Sequence, residues 1–251
     1  MADRRKSPLH LQETAPETCS VDLRLEILSR VPFFAGLSEK EIAEVNRRFH
    51  EVGFTPGETI YFSSDPADHL YVIASGRVKL LRHSFSGKNV LLELLVPGDF
   101  FGSLSSLGNE VYPDTAQAQT SACVLAINAE EFRLVLDRYP AVALKVLDVM
   151  AERLQAAHEM VRQLSVHSVE RRLAFTLLRL AEKLGKEQEV GWLIQAPLSR
   201  DDLAEMTGTT TESASRVMSQ FQKEGLIRSG RQWIAITDRE GLQSAATEEI
   251  E

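Results

Sequence analysis

The spacing of hydrophobic positions changes along the chain and predicts helical segments on either side of a β-rich one. Apolar residues recur at helical spacing over 21–29 and over 39–49, where Ser38 and Glu41 predict a capping box. From residue 51 to residue 127, short β-rich runs alternate with turn signals. The runs span residues 59–62, 70–73, 78–81, 90–95 and 123–127. Their spacing of roughly ten residues predicts a small barrel or roll.

Helical spacing returns after the β-rich segment, first over 129–138 and then over a long helix at 140–166. A further helix is predicted over 169–184 and a short strand over 190–195. Within the long helix, apolar residues recur in steps of three and four between charged flanks, so the stripe is narrow. The stripe consists of Leu147, Met150, Leu154, Ala157, Val161 and Leu164. We expect a parallel homodimer seam; a helix packed on its own domain, with a broader apolar face, is the alternative.

Two short helices joined by a tight turn are predicted over residues 198–225. Ser199 is a suitable N-cap, with Asp202 three residues on as its capping partner. Gly208 lies where the chain must turn sharply, and Thr209 is expected to cap the second helix. The buried side of that helix is predicted at Ala214, Val217, Met218 and Phe221. The arrangement is typical of a helix-turn-helix; an ordinary helical hairpin with a polar outer face is the alternative.

The outer face of the second helix favours a DNA-reading role. Its short hydrogen-bonding groups surround one arginine, a set that suits the base edges of a major groove. These residues are Thr211, Glu212, Ser215, Arg216 and Ser219. Strand-like runs at 226–228 and 233–236 then flank a glycine turn and predict a β-hairpin. A hairpin directly after a helix-turn-helix makes a winged helix, and Arg231 near its tip is placed to reach a phosphate.

Composition and charge indicate a globular protein with two modest domains. Of its 251 residues, 43% are hydrophobic and 25% are charged. No apolar run approaches the ~20 residues of a membrane-spanning helix. The basic N-terminus lacks a following apolar region, so no secretory signal is predicted and we expect a soluble, cytoplasmic protein. The net charge of −8 is unlike that of most nucleic-acid binders. The local distribution of charge, and not the net charge, determines whether a protein binds nucleic acid, because an acidic protein can still present a basic face.

The sequence offers no set of residues suited to catalysis or to metal binding. The two cysteines, Cys19 and Cys123, are too few for a zinc finger, a disulfide framework or an iron–sulfur cluster. We expect Cys19 to lie in a tail and Cys123 to be a small buried hydrophobe. His50, His69 and His83 lack ligand spacing. With no nucleophile–base pair and no phosphate loop, an enzyme is the least favoured class.

Four motifs carry a resemblance to a known family. They are Phe54-x-Pro-Gly-Glu-x-Ile, Leu70-Tyr-x-Ile-x-Ser-Gly-x-Val-Lys-Leu, Pro97-Gly-Asp-Phe-Phe-Gly102 and Glu212-Ser-Ala-Ser-Arg216. With the order of elements, they make the chain after its leader resemble the Crp/Fnr superfamily of bacterial transcription regulators. The resemblance implies an α+β fold with a cyclic-nucleotide-binding-like β-roll, a long dimerisation helix and a C-terminal winged helix-turn-helix. The expected segments are a leader at 1–20, the roll at 21–138, the helix and hinge at 139–167, the winged helix at 168–243 and a tail at 244–251.

The resemblance also implies how DNA is read. Glu212, Ser215 and Arg216 match the Glu-x-x-Ser-Arg pattern of the Fnr-like branch, which implies an inverted repeat near TTGAT-N4-ATCAA. Family members touch the DNA backbone at positions that correspond here to Ser199, Arg200, Thr210 and Ser213, and Thr211 lies on the same face. The implied partners are double-stranded DNA, a second copy of the chain and RNA polymerase, with no membrane.

The expected effector pocket departs from the cyclic-AMP pattern. The pocket residues would be Gly98, Gly102, Ser103 and Thr115. In cyclic-AMP binders a glutamate holds the ribose and an Arg-Ser pair holds the phosphate. Here Ser103 replaces the glutamate, and Tyr112-Pro113, followed by Asp114, falls near the Arg-Ser position with no arginine nearby. We therefore expect cyclic AMP to bind weakly or not at all.

The signal itself is left open by the sequence. The cysteine cluster of the oxygen sensors is missing, and Gly102 and Leu104 replace the haem-binding Cys–His pair of the carbon-monoxide sensors. A haem-dependent nitric-oxide sensor stays possible. We expect a signal in the roll to change the packing along the long helix and around His167. The alternative is that the activity of the protein is regulated by its own abundance. The rival class is a ligand-binding signalling module that regulates a protein partner.

Overall fold

The computed structural model describes residues 7–9, 19–83, 89–103 and 110–247. Most of the predicted leader, the last residues of the predicted tail and Leu104 lie outside these ranges. Two helices precede the roll, α1 at Val21–Arg30 and α2 at Glu39–Asn46, with a 3-10 turn between them. The capping box predicted at Ser38 forms. The second helix ends three residues before its predicted end because the chain enters a strand at His50.

Eight strands of the described chain build the roll as two four-stranded antiparallel sheets. Their orders are β1-β8-β3-β6 and β2-β7-β4-β5. The strands are β1 His50–Phe54, β2 Thr59–Tyr61, β3 His69–Ser75, β4 Val78–His83, β5 Asn89–Leu95, β6 Phe100–Gly102, β7 Thr115–Ala118 and β8 Ala122–Asn128. All five predicted runs are strands. The sequence did not single out β1, β6 and β7, which are short and have little alternation of apolar and polar residues.

The position of β8 explains why it is almost entirely apolar. It lies between β1 and β3 and is buried at six of its seven positions. Its side chains point alternately to opposite faces of the sheet. Cys123 and Leu125 join a cluster with α1, α2 and the edge-to-face rings of Phe33 and Phe100. Val124 joins a second cluster, between the two sheets.

The structure corrects the prediction for both cysteines. Cys19 and Cys123 form a disulfide, with their Cα atoms 6.3 Å apart. Both residues are buried in the cluster that joins the N-terminal helices to the roll. Cys19 is therefore not part of a tail, and Cys123 is more than a small hydrophobe. A separation of 104 residues along the chain left no local signal for this pairing.

Two helices follow the roll, α3 at Ala129–Arg138 and α4 at Pro140–Val166, both with the predicted bounds. Val142 and Val149 of α4 are buried in the helical cluster of the roll. The chain divides into two compact units, and the boundary falls within α4, after Ala156. None of the helices in the described ranges is both long and apolar enough to cross a membrane.

The second unit holds the predicted winged helix within a larger sheet. The elements are α5 Val169–Leu184, β9 Gly185–Gln188, β10 Gly191–Ile194, α6 Arg200–Thr207, α7 Thr211–Lys223, β11 Ile227–Gly230, β12 Trp233–Ile236 and α8 Arg239–Thr247. The order in the sheet is β11-β12-β10-β9. The hairpin of the wing therefore pairs with β10, the strand predicted at 190–195, and β10 pairs in turn with β9, which was not predicted.

The helix α8 replaces the polar tail expected from residue 244. Leu242 and Ala246, four residues apart on one face of the helix, are buried. Asp238 accepts a hydrogen bond from the backbone N–H of Gly241 over 2.9 Å at the start of the helix. The Arg171 side chain donates to the carbonyl of Ala246 over 2.7 Å. These contacts attach α8 to α5, so the ordered fold continues to Thr247.

Candidate DNA interface and effector site

The turn of the helix-turn-helix is built on Gly208. This residue ends α6 in the left-handed region, with φ +60° and ψ +40°, where a side chain is disfavoured. The backbone N–H of Thr209 donates to the carbonyl of Ala204 over 3.0 Å, which closes the turn. The predicted capping box of Ser199 and Asp202 forms at the other end of α6.

The start of α7 differs from the prediction by one residue, and the difference matters for function. The N-cap is Thr210, not Thr209, and its hydroxyl accepts from the backbone N–H of Ser213 over 3.2 Å. Glu212 is consequently the second residue of the helix and not the third. A capping box needs its acidic residue at the third position. A cap at Thr209 would have made Glu212 its capping-box partner, a role that competes with base reading. With the cap at Thr210 that role is not open to Glu212, whose side chain is exposed.

The two faces of α7 separate as the sequence predicted. Ala214, Val217, Met218 and Phe221 are buried. Glu212 and Arg216 are exposed on the opposite face, with Ser215 half-buried between them. Residues four apart in a helix are neighbours on its surface. The structure therefore brings one hydrogen-bond acceptor and one forked donor together on the exposed side of α7.

The remaining predicted contact residues have partners within the protein. The hydroxyl of Thr211 donates to the carboxylate of Asp201 over 2.6 Å. That of Thr210 donates to the hydroxyl of Ser213 over 3.1 Å. The hydroxyl of Ser199 accepts from the backbone N–H of Asp202 over 3.0 Å. These bonds fix the hydroxyl groups around the first turns of α6 and α7.

Arg200 connects α6 to the wing. Its guanidinium is half-buried and donates to the hydroxyl of Ser229 on β11 over 2.8 Å. Burial lowers the pKa of Arg200 below its usual value. The carbonyl of Ser229 also accepts from the side chain of Gln222 on α7, over 3.1 Å. The wing is thus bonded to both helices. A guanidinium has five N–H donors, so the phosphate contact expected of Arg200 stays a prediction.

The tip of the wing lies where the sequence placed it. Gly230 pairs with Trp233 across the end of the hairpin, which leaves Arg231 and Gln232 as its two-residue turn. Gln232, the second of these two residues, adopts a positive φ of 61°, a conformation that is uncommon for a residue with a side chain. Arg231 is exposed. An exposed arginine at the tip is suitably placed for a phosphate of a bound duplex.

Three of the four expected pocket residues have structural roles in the roll. Gly98 and Gly102 both adopt positive φ, and a Cβ added at Gly102 would lie 2.7 Å from the carbonyl oxygen of His69. Thr115 is buried, and its hydroxyl accepts from the backbone N–H of Ser63 over 3.0 Å. Ser103 lies just beyond β6, at the end of a described range.

Aromatic side chains, among them Tyr112 from the expected Arg-Ser position, pack between the sheets beside these residues. The rings of Tyr61 and Tyr112 stack with centroids 3.8 Å apart, and those of Tyr71 and Phe101 with centroids 5.1 Å apart. The hydroxyl of Tyr61 donates to the carboxylate of Asp114 over 3.0 Å. Burial raises the pKa of Asp114, an effect that the bond from Tyr61 opposes. The chain thus holds a half-buried carboxyl group beside Thr115.

Arg153 of α4 packs on Phe100, which lies between Gly98 and Gly102 in the chain, and the sequence did not predict this contact. It donates to the carbonyl of Phe100 over 2.7 Å, and its guanidinium carbon lies 3.7 Å from the centroid of the Phe100 ring. Burial lowers the pKa of Arg153, while the carboxylates of Glu93 and Asp99 act in the opposite direction. Its helical spacing from Val142 and Val149 places Arg153 on the same face of α4 as these two residues. That spacing would have indicated the contact only if the packing of this face on the roll had been known.

A β-roll of this topology, followed by a long helix and a complete winged helix, defines a DNA-binding protein with a sensor-type domain. A model of the cyclic nucleotide-binding domain matches residues 51–139, and a model of the Crp-like helix-turn-helix domain matches residues 171–245. The chain belongs to the Crp/Fnr superfamily of transcription regulators. Its domains are those of DNA-binding regulators and not of enzymes.

Individual relatives support this assignment along most of the chain. The CRP-like cAMP-activated global transcriptional regulator of Mycobacterium tuberculosis is 30% identical, over 88% of this chain and 99% of that protein. The Cyclic AMP receptor protein of Thermus thermophilus is 30% identical, over 86% of this chain and 96% of that protein. The solved structure of FixK2 from Bradyrhizobium japonicum has a TM-score of 0.72 over 80% of this chain and 99% of FixK2. At 23% identity, that likeness concerns the fold alone.

Proposed function

We propose that this regulator is a cytoplasmic homodimer that reads an inverted repeat near TTGAT-N4-ATCAA and acts on transcription together with RNA polymerase. The observation that carries the proposal is the exposed pair of Glu212 and Arg216 on α7, with a wing bonded to both helices of the motif. Arginine donates two hydrogen bonds to O6 and N7 of guanine, and glutamate accepts from the amino group of cytosine. Both bases occur in the half-site.

A dimer is supported by the exposed face of α4. The six residues of the predicted stripe are all exposed in the single chain, with Leu147 at 66%, Leu154 at 57% and Val161 at 61%. Residues on the opposite side of the helix, such as Val142 and Val149, are buried against the roll. A second copy of the helix would cover the stripe as in a coiled coil. Two recognition helices, one per copy, are what an inverted repeat requires.

We propose that cyclic AMP is not the effector, although two relatives carry cyclic AMP in their names. The pocket region lacks the glutamate and the Arg-Ser pair of the cyclic-AMP binders. It holds the hydrogen-bonded carboxyl group of Asp114 instead, and the hydroxyl of Thr115 already accepts a backbone bond. Arg153 is bonded to the carbonyl of Phe100. A haem-dependent response to nitric oxide is the alternative within the family.

The first test is fluorescence anisotropy of the purified protein with a TTGAT-N4-ATCAA duplex and with a scrambled duplex. We expect tighter binding to the repeat, and no change of affinity when cyclic AMP is added. The Arg216→Ala variant should lose about 1–3 kcal/mol of specific binding, because one bidentate base contact is removed. Arg239→Ala is the matched control: this arginine is also exposed but lies on α8, where it pairs with Glu182.

Each outcome of this test has a defined meaning. Equal binding to both duplexes would contradict the proposed operator. An unchanged affinity of Arg216→Ala would contradict base reading by α7 and favour a module that regulates a protein partner. A visible absorbance band of the same sample would support the haem alternative. Tighter binding on addition of cyclic AMP would contradict the proposal about the effector.

A further inference from the structure

A side-chain hydrogen bond joins the first turns of the two helices of the helix-turn-helix. The hydroxyl of Thr211, the first residue of α7, donates to Oδ1 of Asp201, the second residue of α6, over 2.6 Å. This length is typical of a bond from a hydroxyl to a carboxylate, which is roughly twice as strong as a bond between neutral groups. Both residues are exposed, and Thr211 immediately precedes Glu212. The bond therefore lies on the surface that is proposed to face DNA.

The bond of Thr211 differs from that of another hydroxyl group on the same face of α7. The hydroxyl of Ser219 donates to the carbonyl of Ser215, one turn earlier on the same helix, over 2.8 Å. Thr211 instead bonds to a charged side chain of the other helix. An acidic residue in the first turn of a helix is favoured by the helix dipole. That effect accounts for Asp201 at the start of α6, but it does not account for the bond to Thr211.

The bond changes what Thr211 can offer to a base. A free threonine hydroxyl both donates and accepts, so it can bond to any base edge. Once its proton is donated to Asp201, the hydroxyl can only accept, and the carboxylate beside it also only accepts. The bond further holds the side chain in one rotamer, which gives the methyl group one orientation. A base that meets Thr211 therefore meets a fixed methyl group and oxygen atoms that accept.

These groups match a T·A base pair and disfavour guanine. In the major groove thymine presents its C5-methyl group, with which a threonine methyl group makes an apolar contact, and adenine presents an amino donor. Guanine presents two acceptors, O6 and N7, which would meet only acceptors at Thr211. The half-site TTGAT and its complement contain thymine on both strands. A thymine methyl group is thus available close to the bases assigned to Glu212 and Arg216.

We propose that Asp201 is a positioning residue that sets the base preference of α7. By holding the hydroxyl of Thr211, it makes this residue the reader of one thymine methyl group in each half-site and excludes guanine from the same position. This inference rests on the proposed DNA-binding function. The carboxylate of Asp201 also repels the phosphates of any duplex. Asp201 therefore lowers the affinity for all DNA while it raises the preference for one sequence over another.

The first turn of α6 holds Asp201 in place for this role. Asp201 lies between Arg200, which is bonded to Ser229 of the wing, and Asp202, which forms the capping box with Ser199. In the free protein, water competes for both exposed groups of the bond. A bound duplex excludes that water, and a hydrogen bond is stronger in surroundings of lower polarity. The bond is thus expected to be strongest when α7 lies in the major groove.

The first test removes single methyl groups from the DNA. Each thymine of one half-site of the TTGAT-N4-ATCAA duplex, on either strand, is replaced in turn by uracil, which lacks only the C5-methyl group. Binding of the full-length protein is measured by fluorescence anisotropy. We expect one position at which the wild-type protein binds about fourfold more weakly, the effect of burying one methylene-sized group less. Thr211→Ser, which keeps the hydroxyl and loses the methyl group, should be insensitive to uracil there. Thr211→Val keeps a methyl group and should still prefer thymine.

The second test isolates the hydrogen bond with two neutral variants. Asp201→Asn keeps an oxygen that accepts from Thr211, whereas Asp201→Ala does not, and both remove the same charge. Both variants should therefore bind all duplexes, the scrambled one included, more tightly than the wild type does. At the position found in the first test, thymine is then replaced by guanine and adenine by cytosine. The penalty for this exchange should fall about fivefold in Asp201→Ala, which corresponds to one ordinary hydrogen bond, and should persist in Asp201→Asn.

The outcomes separate this inference from the proposed operator. If no uracil effect depends on Thr211, or if Asp201→Ala and Asp201→Asn treat guanine alike, Asp201 is only a charge at the start of α6 and the inference is wrong. If the wild-type protein does not prefer the TTGAT repeat, the operator is wrong, and sites are selected instead from a pool of random duplexes. A thymine that the wild type enriches, but Thr211→Ser and Asp201→Ala do not, would then support the inference. The same consensus from all three proteins, or no consensus, would overturn it.

Discussion

Asp114 illustrates at the residue scale how burial changes the chemistry of a group that the sequence shows only as a negative charge. The carboxyl group is half-buried in the roll, and burial raises its pKa above the ordinary value of 3.8. The hydrogen bond from Tyr61 acts in the opposite direction because it favours the ionised form. Between the unfolded and the folded pKa, the folded state therefore binds more protons than the unfolded state. The contribution of Asp114 to the free energy of unfolding must therefore fall as the pH rises between these two pKa values.

We predict that Asp114→Asn increases the free energy of unfolding at pH 7, because an amide still accepts from Tyr61 but has no charge to bury. The gain should be smallest below pH 3.8, where the carboxyl group is protonated in both states, and should grow as the pH rises. Urea unfolding over a pH series measures it. Tyr61→Phe should have the opposite effect and steepen the fall of stability. A gain of Asp114→Asn that is independent of pH would contradict this account.

The residue scale also shows which side chains escape sequence analysis. Glu212 and Arg216 were found because a helical period alone places them on one face of α7. Arg153 was not found, since its role depends on α4 packing against β6. Arg200 was assigned to the DNA backbone, and the structure adds a bond to Ser229 in the wing. A local pattern predicts which face of a helix a residue occupies. Its hydrogen-bond partner belongs to a segment that is distant in the sequence, so the local pattern does not predict it.

At the scale of elements, the helix-turn-helix depends on one backbone conformation. Gly208 ends α6 at φ +60°, and a Cβ at this position would lie 3.4 Å from Leu164 Cδ2. We predict that Gly208→Ala lowers the stability of the winged helix by about 1–2 kcal/mol, because an L residue pays this penalty in the left-handed region. Thermal and urea unfolding measure the loss. Gly208→Asn is the matched control and should lose less, since asparagine tolerates this conformation. Equal losses would point to the contact with Leu164 as the cause.

Most element boundaries followed from periodicity, and the exceptions share one physical cause. The bounds of α3, α4 and α5 agree with prediction because long amphipathic helices have strong local patterns. The strand β9 consists of Gly-Lys-Glu-Gln, a polar sequence with no strand pattern, and exists because β10 pairs with it. The helix α8 is likewise stabilised by packing on α5. Short elements of this kind take their structure from a neighbour.

At the scale of the whole molecule, the exposed stripe of α4 leads to a prediction about assembly. We expect the double variant Leu147→Glu, Leu154→Glu to have the mass of one chain in sedimentation equilibrium, whereas the wild-type protein has the mass of two. Charges facing each other in a coiled-coil seam are destabilising. Asp148→Lys, beside the stripe, is the control and should leave the dimer intact. A wild-type protein with the mass of one chain would contradict the dimer and, with it, the reading of an inverted repeat.

The sequence by itself determined the class of this protein. The helical and strand periods, the capping residues and the Glu-x-x-Ser-Arg pattern are local features. They predicted a small barrel or roll, a long helix and a winged helix, and the resemblance to the family implied that the first of these is a β-roll. Only the tertiary structure decided the pairing of Cys19 with Cys123, the contact of Arg153 with Phe100 and the burial of Asp114 beside Tyr61. The physical reason is that these contacts join residues 53 to 104 positions apart. Such distances are closed by packing of the whole chain and leave no trace in the spacing of neighbouring residues.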